Sequence, residues 1–308
     1  MVERRPGVMP PKPGPPPRQI SHGRIVRRRL AALGAVLLTI VVVFALVKIS
    51  SRGSSSPAVP TAPTIVLPKP FHIVFPEGFN RDDMAQRVQA VARIAEHKRN
   101  RKKVRLSKRT YLAASQPRRL AGFGAKKRSL EGFLFPATYD FLPSTTSAQL
   151  VQQQLKAFAD NWSKVDLANA RKKNLTPYDV LIIASLVEKE ALVPDERPKI
   201  ARVIYNRLHA KMNLGLDATT RYGLHVPGTK SLTQSELQSS NPYNTRNPNV
   251  TGLPPTPIAN PGLASMQAAA HPAPGDWLYF VRKPDLQHHY FTANYNDFLN
   301  HANQYGFH

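Results

Sequence analysis

The chain has no cysteine among its 308 residues, which excludes disulfide bonds, thiolate metal sites and cysteine nucleophiles. Acidic residues are also scarce, since 19 Asp and Glu stand against 43 Lys and Arg, for a formal net charge of +24. This balance favours an anionic partner: a nucleic acid, an acidic membrane surface or an anionic polymer. The sequence lacks zinc-ligand spacing, a helix-turn-helix pairing and an aromatic RNA-binding signature. We therefore expect no nucleic-acid partner, no metal and no diffusible cofactor.

One long hydrophobic run near the N-terminus predicts a single transmembrane helix over residues 30–49. Leu30–Val47 carries no charge over eighteen residues, and a bilayer core is crossed by about 20 helical residues. Four arginines lie within residues 24–29, whereas only Lys48 and Arg52 follow closely. The positive-inside rule then predicts a cytoplasmic N-terminus and an extracytoplasmic C-terminal part. A cleaved signal peptide is the alternative, although the run exceeds the usual about 7–15 residues and no small-x-small site directly follows it.

The segments around this run differ in composition. Residues 1–29 form a basic, proline-rich tail that we expect to be disordered, and residues 50–68 form a Pro/Ser-rich linker. Residues 69–128 predict a small module with a strand at Phe71–Phe75 and an amphipathic helix at Asp82–Ala95. The second half of the module, residues 98–128, carries thirteen Lys or Arg and no acid. Such a run is commonly a solvated face, and binding of an anionic polymer or a membrane is the alternative.

From residue 129 to residue 308 the composition is that of a globular domain with an α+β pattern. Helices are predicted at Ser147–Asp160, Thr176–Leu192, Glu196–Ala210 and Gly262–Ala270, and strands at Trp277–Val281 and Tyr290–Thr292. The segment Asn213–Pro261 is rich in Pro, Gly, Asn and Thr, and we predict a long irregular loop there. A loop of that length is usually functional or disordered. Its polar groups could line a cleft for an extended polar ligand such as a glycan, or could satisfy one another in turns.

The predicted helix Thr176–Leu192 ends in two acids, and they do not share a face. Glu190 continues an apolar stripe at spacings of three and four, formed by Ile183, Leu186 and Val187. Glu188, two residues earlier, is turned about 200° around the helix axis. Burial on the apolar face would raise the pKa of Glu190 and keep it protonated as a general acid. The alternative is that Glu190 forms an ion pair with Arg197 or Lys199.

A series of short motifs resembles the MltG-type (YceG-like) endolytic murein transglycosylases. The motifs run in one order along the chain: Leu130–Pro136 (LEGFLFP), Ala184–Glu190 (ASLVEKE), Glu196–Arg197, Tyr205–Leu208 (YNRL), Tyr243–Thr245 (YNT), Gly252–Pro255 (GLPP), Ile258–Gly262 (IANPG) and Ala269–Pro272 (AAHP). The resemblance extends from about Phe71 to the C-terminus. It implies a bacterial enzyme, anchored in the inner membrane, that cuts peptidoglycan glycan strands internally. It also implies that residues 69–128 are a LysM-like module and that residues 129–308 are the catalytic domain.

The resemblance also implies roles for particular residues. The catalytic acid of the family is the second glutamate of its Glu-Lys-Glu motif, which corresponds to Glu190. Substrate-binding roles carry over to a set of polar residues: Asp217, Thr219, Tyr243, Asn244, Thr245 and His271. In such an enzyme the acid protonates the bond between N-acetylmuramic acid (MurNAc) and N-acetylglucosamine (GlcNAc). The muramic C6 hydroxyl then closes on C1, which leaves a 1,6-anhydro end without a metal or cofactor.

Partners follow from the same resemblance. They are peptidoglycan strands, the lipid bilayer through residues 30–49, and penicillin-binding proteins or a division complex near nascent glycan. Two other classes stay open at this point. One is a non-catalytic peptidoglycan-binding scaffold, which would need the same cleft but not Glu190. The other is a nucleic-acid-binding protein using the basic segment 98–128, which would require a cytoplasmic C-terminal part, against the arginine asymmetry.

Overall fold

The computed structural model describes residues 69–306. The predicted tail (1–29), transmembrane helix (30–49) and linker (50–68) lie outside these residues. Among residues 69–306, no helix has both the length and the apolar character needed to cross a bilayer. The described part mixes helices with short antiparallel strands, which confirms the α+β class. The transmembrane helix and the LysM-like nature of residues 69–128 stay predictions.

The first core is built around a two-stranded antiparallel sheet. Strand β1 (Phe71–Val74) pairs with β2 (Thr138–Phe141), so that Phe71 lies opposite Phe141. Helices α1 (Arg81–Lys98), α2 (Lys108–Ala114) and α3 (Ser147–Trp162) pack with this sheet around buried Ile73, Met84, Val88, Tyr111, Leu134 and Leu150. Side chains from both sides of residue 129 therefore share this core. The division of the chain at residue 129 stays a prediction.

The second core surrounds a central helix, α5 (Pro177–Glu190). Thr176 caps this helix through a hydrogen bond to the backbone N–H of Asp179, and Pro177 occupies its first turn. Residues 180–187 are all buried, so α5 is apolar on every side and not only along one stripe. It packs against α6 (Arg197–His209) and α9 (Leu263–Ala270), with the short α4 (Ala168–Lys172) alongside α9.

A β-hairpin and a terminal helix complete the described chain. Strands β3 (Tyr279–Arg282) and β4 (His289–Thr292) pair antiparallel, with Arg282 opposite His289. Helix α10 (Tyr295–Gln304) packs on this hairpin, where the ring of Tyr279 stacks on that of Phe298 at 5.4 Å. The sequence analysis did not predict α10, although Asn294 caps its first turn.

The prediction of one long irregular loop at Asn213–Pro261 was wrong in part. The segment contains helix α7 (Asp217–Leu224) and a single-turn helix, α8 (Gln234–Leu237). Helix α7 ends at His225 in the left-handed conformation, with φ of 56°, and its eight residues are too few for a clear apolar period. The remainder of the segment is loop, as predicted. Strand β2 was also missed, because its four residues follow an aromatic, turn-rich motif.

Candidate active site

A cleft of about 1210 Å³ lies where the two cores meet. The start of α1, the end of α5, helix α7, the β3–β4 hairpin and α10 form its walls. The lining includes many polar and charged side chains: Asp82, Asp83, Gln86, Lys189, Glu190, Asp217, Arg221, Tyr222, Arg246, Arg282 and His289. A smaller depression of about 370 Å³ shares Glu190, Asp217 and Arg246 with this cleft. The shape and lining suit an extended, polar ligand.

Glu190 is the last residue of α5 and lies in both depressions. Its carboxyl group accepts no hydrogen bond and forms no ion pair with any residue between 69 and 306. Burial raises the pKa of Glu190 to about 7, and the negative charge of Asp217 adds to this rise. The positive charges of Arg282, Arg246 and Lys189 act in the opposite direction. Near neutral pH the group is thus divided between a proton donor and a proton acceptor.

The predicted alternative, an ion pair of Glu190 with Arg197 or Lys199, is wrong for the described structure. The Nε of Arg197 donates to Ser265 Oγ at 3.1 Å, and the Nζ of Lys199 lies 5.8 Å from the centre of the Phe291 ring. Within the described residues, these contacts and not Glu190 engage the two cations.

The two acids at the end of α5 have different environments. The Oε2 of Glu188 accepts a hydrogen bond from the backbone N–H of Gly262 at 3.0 Å. Glu188 thereby ties α5 to the loop before α9, whereas Glu190 opens to the cleft. The sequence analysis separated these acids correctly, but for an incomplete reason. Because α5 is buried on all sides, the difference lies in what each carboxyl meets beyond the helix.

Asp217 is the predicted substrate-binding residue that the structure places beside Glu190. It is the first residue of α7, about half-exposed, and its Oδ1 accepts a hydrogen bond from the Nε of Arg246. The ion pair with Arg246 fixes the position of the Asp217 side chain within the cleft. Its negative charge raises the pKa of Glu190, so Asp217 acts on the chemistry of the acid as well as on the polarity of the cleft.

Three other predicted substrate-binding residues are fully buried. The hydroxyls of Thr219 and Thr245 lie 2.9 Å apart, and that of Thr219 also donates to Leu216 O at 2.6 Å. The side-chain amide of Asn244 donates to Leu237 O and accepts from the Thr220 hydroxyl. Their polar groups satisfy one another, which was the second possibility considered for this loop. Their position supports a role in shaping the cleft wall instead of direct contact with a ligand.

The remaining two predicted positions lie away from the cleft lining. Tyr243 packs its ring 5.2 Å from that of Tyr222, and its hydroxyl is 2.8 Å from that of Thr256. It therefore supports Tyr222, which does line the cleft. His271 follows α9, is half-exposed and lies 3.9 Å from Asp166. The structure does not bring His271 together with Glu190.

Sequence reasoning missed Glu131, a buried carboxylate behind the cleft. It accepts hydrogen bonds from the backbone N–H of Arg81, from the Tyr222 hydroxyl and from the Asn260 amide, at 3.0–3.1 Å. Burial raises the pKa of Glu131 to about 7, despite these donors. The group joins α1, α7 and the loop before α9, three walls of the cleft. The sequence signal that could have identified Glu131 is the presence of an acid inside the otherwise apolar motif Leu130–Pro136.

Sequence reasoning also missed the pair formed by Glu196 and His289. The side chains are 7% and 4% exposed, and His289 Nδ1 lies 2.7 Å from Glu196 Oε2. His289 is part of the cleft lining. The two residues are 93 positions apart, so no local pattern could have connected them.

Comparisons with known proteins agree with the motif series. A family model described as the YceG-like family matches residues 58–304. A curated relative from Bacillus subtilis (strain 168), named endolytic murein transglycosylase, is 39% identical over 157 residues, or 51% of this chain and 43% of the relative. A second with the same name, from Streptococcus pneumoniae serotype 2 (strain D39), is 38% identical over 178 residues, covering 56% of this chain and 32% of the relative. The chain thus matches less than half the length of these relatives.

The fold is similar to that of a solved structure. The 2.6 Å crystal structure of a YceG-like protein from Listeria monocytogenes matches with a TM-score of 0.61 and 30% sequence identity. The match covers 74% of this chain and 75% of that one. Because the family model spans well over half of the sequence, the protein belongs to the YceG-like family.

Proposed function

We propose that this protein is an endolytic peptidoglycan transglycosylase that cleaves the MurNAc–GlcNAc bond without water. The observation that carries the proposal is the carboxyl group of Glu190, which is unpaired within residues 69–306, opens to a large polar cleft, and has its pKa raised to about 7. The printed names of the two bacterial relatives support the same reaction. An acid poised near the working pH is what general acid–base catalysis requires.

The proposed mechanism uses Glu190 twice. The protonated carboxyl donates its proton to the glycosidic oxygen, the bond from that oxygen to muramic C1 breaks, and GlcNAc leaves with a free hydroxyl. The resulting carboxylate accepts the proton of the muramic C6 hydroxyl, whose oxygen bonds to C1 and closes the 1,6-anhydro ring. An internal nucleophile has an effective concentration on the order of 10⁵ M or more when well oriented, so no second catalytic carboxylate is needed.

The environment of Asp217 supports this single-acid mechanism. A hydrolase would use a second carboxylate as a base or a nucleophile. The nearest candidate in the cleft lining, Asp217, is engaged by the guanidinium of Arg246. The hydrogen bond from Arg246 occupies Oδ1 of Asp217, so this oxygen is not free to act as a base or a nucleophile. Asp217 then serves to raise the pKa of Glu190.

The predicted transmembrane helix at residues 30–49 would hold this cleft at the outer face of the bacterial inner membrane. A position beside the bilayer favours nascent strands and neighbouring penicillin-binding proteins or a division complex as partners. A topology reporter fused after His308 tests this arrangement, and activity of a cytoplasmic reporter would contradict it. The LysM-like module and the glycan-binding loop remain part of the same proposal.

Digestion of purified peptidoglycan sacculi in H₂¹⁸O, with mass analysis of the new ends, tests the reaction. We expect 1,6-anhydro ends without ¹⁸O from the wild-type protein and no release from Glu190→Gln. Glu188→Gln is the matched control, because it alters the neighbouring acid while an amide oxygen can still accept from Gly262. Reducing ends carrying ¹⁸O would indicate a hydrolase. Tight binding of sacculi with no cleavage by the wild type would favour the non-catalytic scaffold.

A further inference from the structure

The Glu196–His289 pair is a buried hydrogen-bonded unit at the edge of the cleft. Both carboxylate oxygens of Glu196 are used by one residue, since Oε1 accepts the backbone N–H of His289 at 2.8 Å and Oε2 lies 2.7 Å from Nδ1. Glu196 ends the 3₁₀ turn Pro194–Glu196, which begins four residues after Glu190. The pair therefore connects β4 directly to the segment that leaves the catalytic acid.

This geometry fixes the tautomer of a neutral His289 ring. An ionised carboxylate can only accept hydrogen bonds, so the proton between the two side chains sits on Nδ1. Nε2 is then left with a free lone pair. The edge-on contact with the Phe280 ring, at 5.3 Å between centres, holds the imidazole plane in place. Such a ring presents a fixed hydrogen-bond acceptor.

The acceptor atom is not sealed inside the protein. Within residues 69–306, Nε2 of His289 has no hydrogen-bond partner. The fully buried side-chain nitrogen and oxygen atoms without a partner in these residues are Arg128 Nε and Ser239 Oγ, and His289 Nε2 is not one of them. Some surface of Nε2 is therefore accessible, although the side chain as a whole is only 4% exposed. His289 also lines the cleft that contains Glu190, which is the space a ligand would occupy.

We propose that His289 is a further substrate-binding residue, whose Nε2 accepts a hydrogen bond from a hydroxyl or acetamido N–H of the glycan. Glu196 is its positioning residue, because it sets both the ring orientation and the tautomer. This inference rests on the proposed function for the identity of the ligand. The competing explanation is that the pair only fastens the β3–β4 hairpin to the turn after α5.

Two substitutions of His289 separate these explanations. Asn reaches about as far as Nδ1 and can still donate to Glu196, but it leaves the Nε2 position empty. Gln reaches about as far as Nε2 and can present its amide oxygen there, while the bond to Glu196 is lost. If Nε2 matters, His289→Asn lowers kcat/KM on sacculi about tenfold, as loss of one hydrogen bond would, and His289→Gln stays within about threefold of wild type. If the pair only fastens the hairpin, His289→Gln should lose more activity than His289→Asn.

His288→Asn is the matched control, because His288 is exposed and, among the described residues, its side chain bonds only to Asp285 in the adjacent turn. Affinity for isolated glycan strands, measured by calorimetry in a Glu190→Gln background, gives a second readout that does not need turnover. We expect His289→Asn to weaken this binding about tenfold, with thermal unfolding confirming that each variant is folded. Unchanged binding and cleavage in His289→Asn would overturn the inference. A wild-type protein that binds glycan without cutting it would instead overturn the proposed function.

Discussion

Replacing Asp217 by Asn should change the pH dependence of the enzyme more than its maximal rate. Glu190 must be protonated to donate its proton, so activity falls as pH rises through its pKa of about 7. After burial, the charge of Asp217 is the largest contribution to that raised pKa. The substitution removes this repulsion and also frees Arg246, whose positive charge lowers the pKa of Glu190. The pH at which activity falls on the alkaline side of the pH–activity profile should therefore move to a lower value.

The size of the effect follows from the pKa. At pH 7 a group with a pKa of about 7 is half protonated, whereas at the ordinary 4.5 only about 0.3% would be. One neighbouring charge moves a carboxyl pKa by about one unit. In Asp217→Asn the protonated fraction of Glu190 at pH 7 should fall to about 9%, which lowers kcat/KM about fivefold. At pH 5 more than about 90% stays protonated in both proteins, and the difference should nearly vanish.

The assay is release of soluble fragments from labelled sacculi between pH 5 and pH 9, at constant ionic strength. Arg282→Gln should have the opposite effect on the pH–activity profile. Arg282 lowers the pKa of Glu190, so its loss should move the alkaline fall in activity to higher pH. Equal losses for Asp217→Asn at pH 5 and pH 7 would refute the electrostatic role. They would place Asp217 among the groups that react with or bind the substrate.

Glu190→Gln should raise the free energy of unfolding at pH 8, and this gain should disappear below about pH 4.5. The folded pKa of Glu190, about 7, lies above the value of 4.5 for an exposed group, so wild-type stability falls as pH rises between them. Gly132→Ala should cost about 2–4 kcal/mol by urea unfolding, because φ is +88° and a Cβ would lie 2.7 Å from Pro257 Cγ. Gly122→Ala, with φ of +83° and open space around it, should cost only about 1 kcal/mol.

Sequence reasoning worked best where the signal was local. Helix α5 was predicted over Thr176–Leu192 and occupies Pro177–Glu190, because a threonine cap, an early proline and an apolar run all point to the same element. Glu190 at the end of this helix lines the cleft, and its role as the catalytic acid stays a prediction. Short elements that lack this combination of signals were missed, namely β2, α4, α7, α8 and α10.

The candidate site was harder to predict, because its polar residues come from distant parts of the chain. The type of residue in the Tyr243–Thr245 motif indicates hydrogen bonding, but not whether the partner is a ligand or the protein itself. In the structure Asn244 and Thr245 are buried, and their side chains form hydrogen bonds with neighbouring residues. Conversely, the cleft residue His289 depends on Glu196, and only the fold brings the two together.

The position of Glu190 at the end of α5 explains why one residue can act as both acid and base. The last carbonyls of a helix carry partial negative charge, which disfavours a carboxylate there. Burial of α5 up to residue 187 removes water from one side, and Asp217 adds a negative charge on the other. Each effect destabilises ionised Glu190, so the arrangement that makes the acid functional also weakens the folded state above neutral pH. Glu188 differs from Glu190, because its carboxyl group accepts a hydrogen bond from the N–H of Gly262.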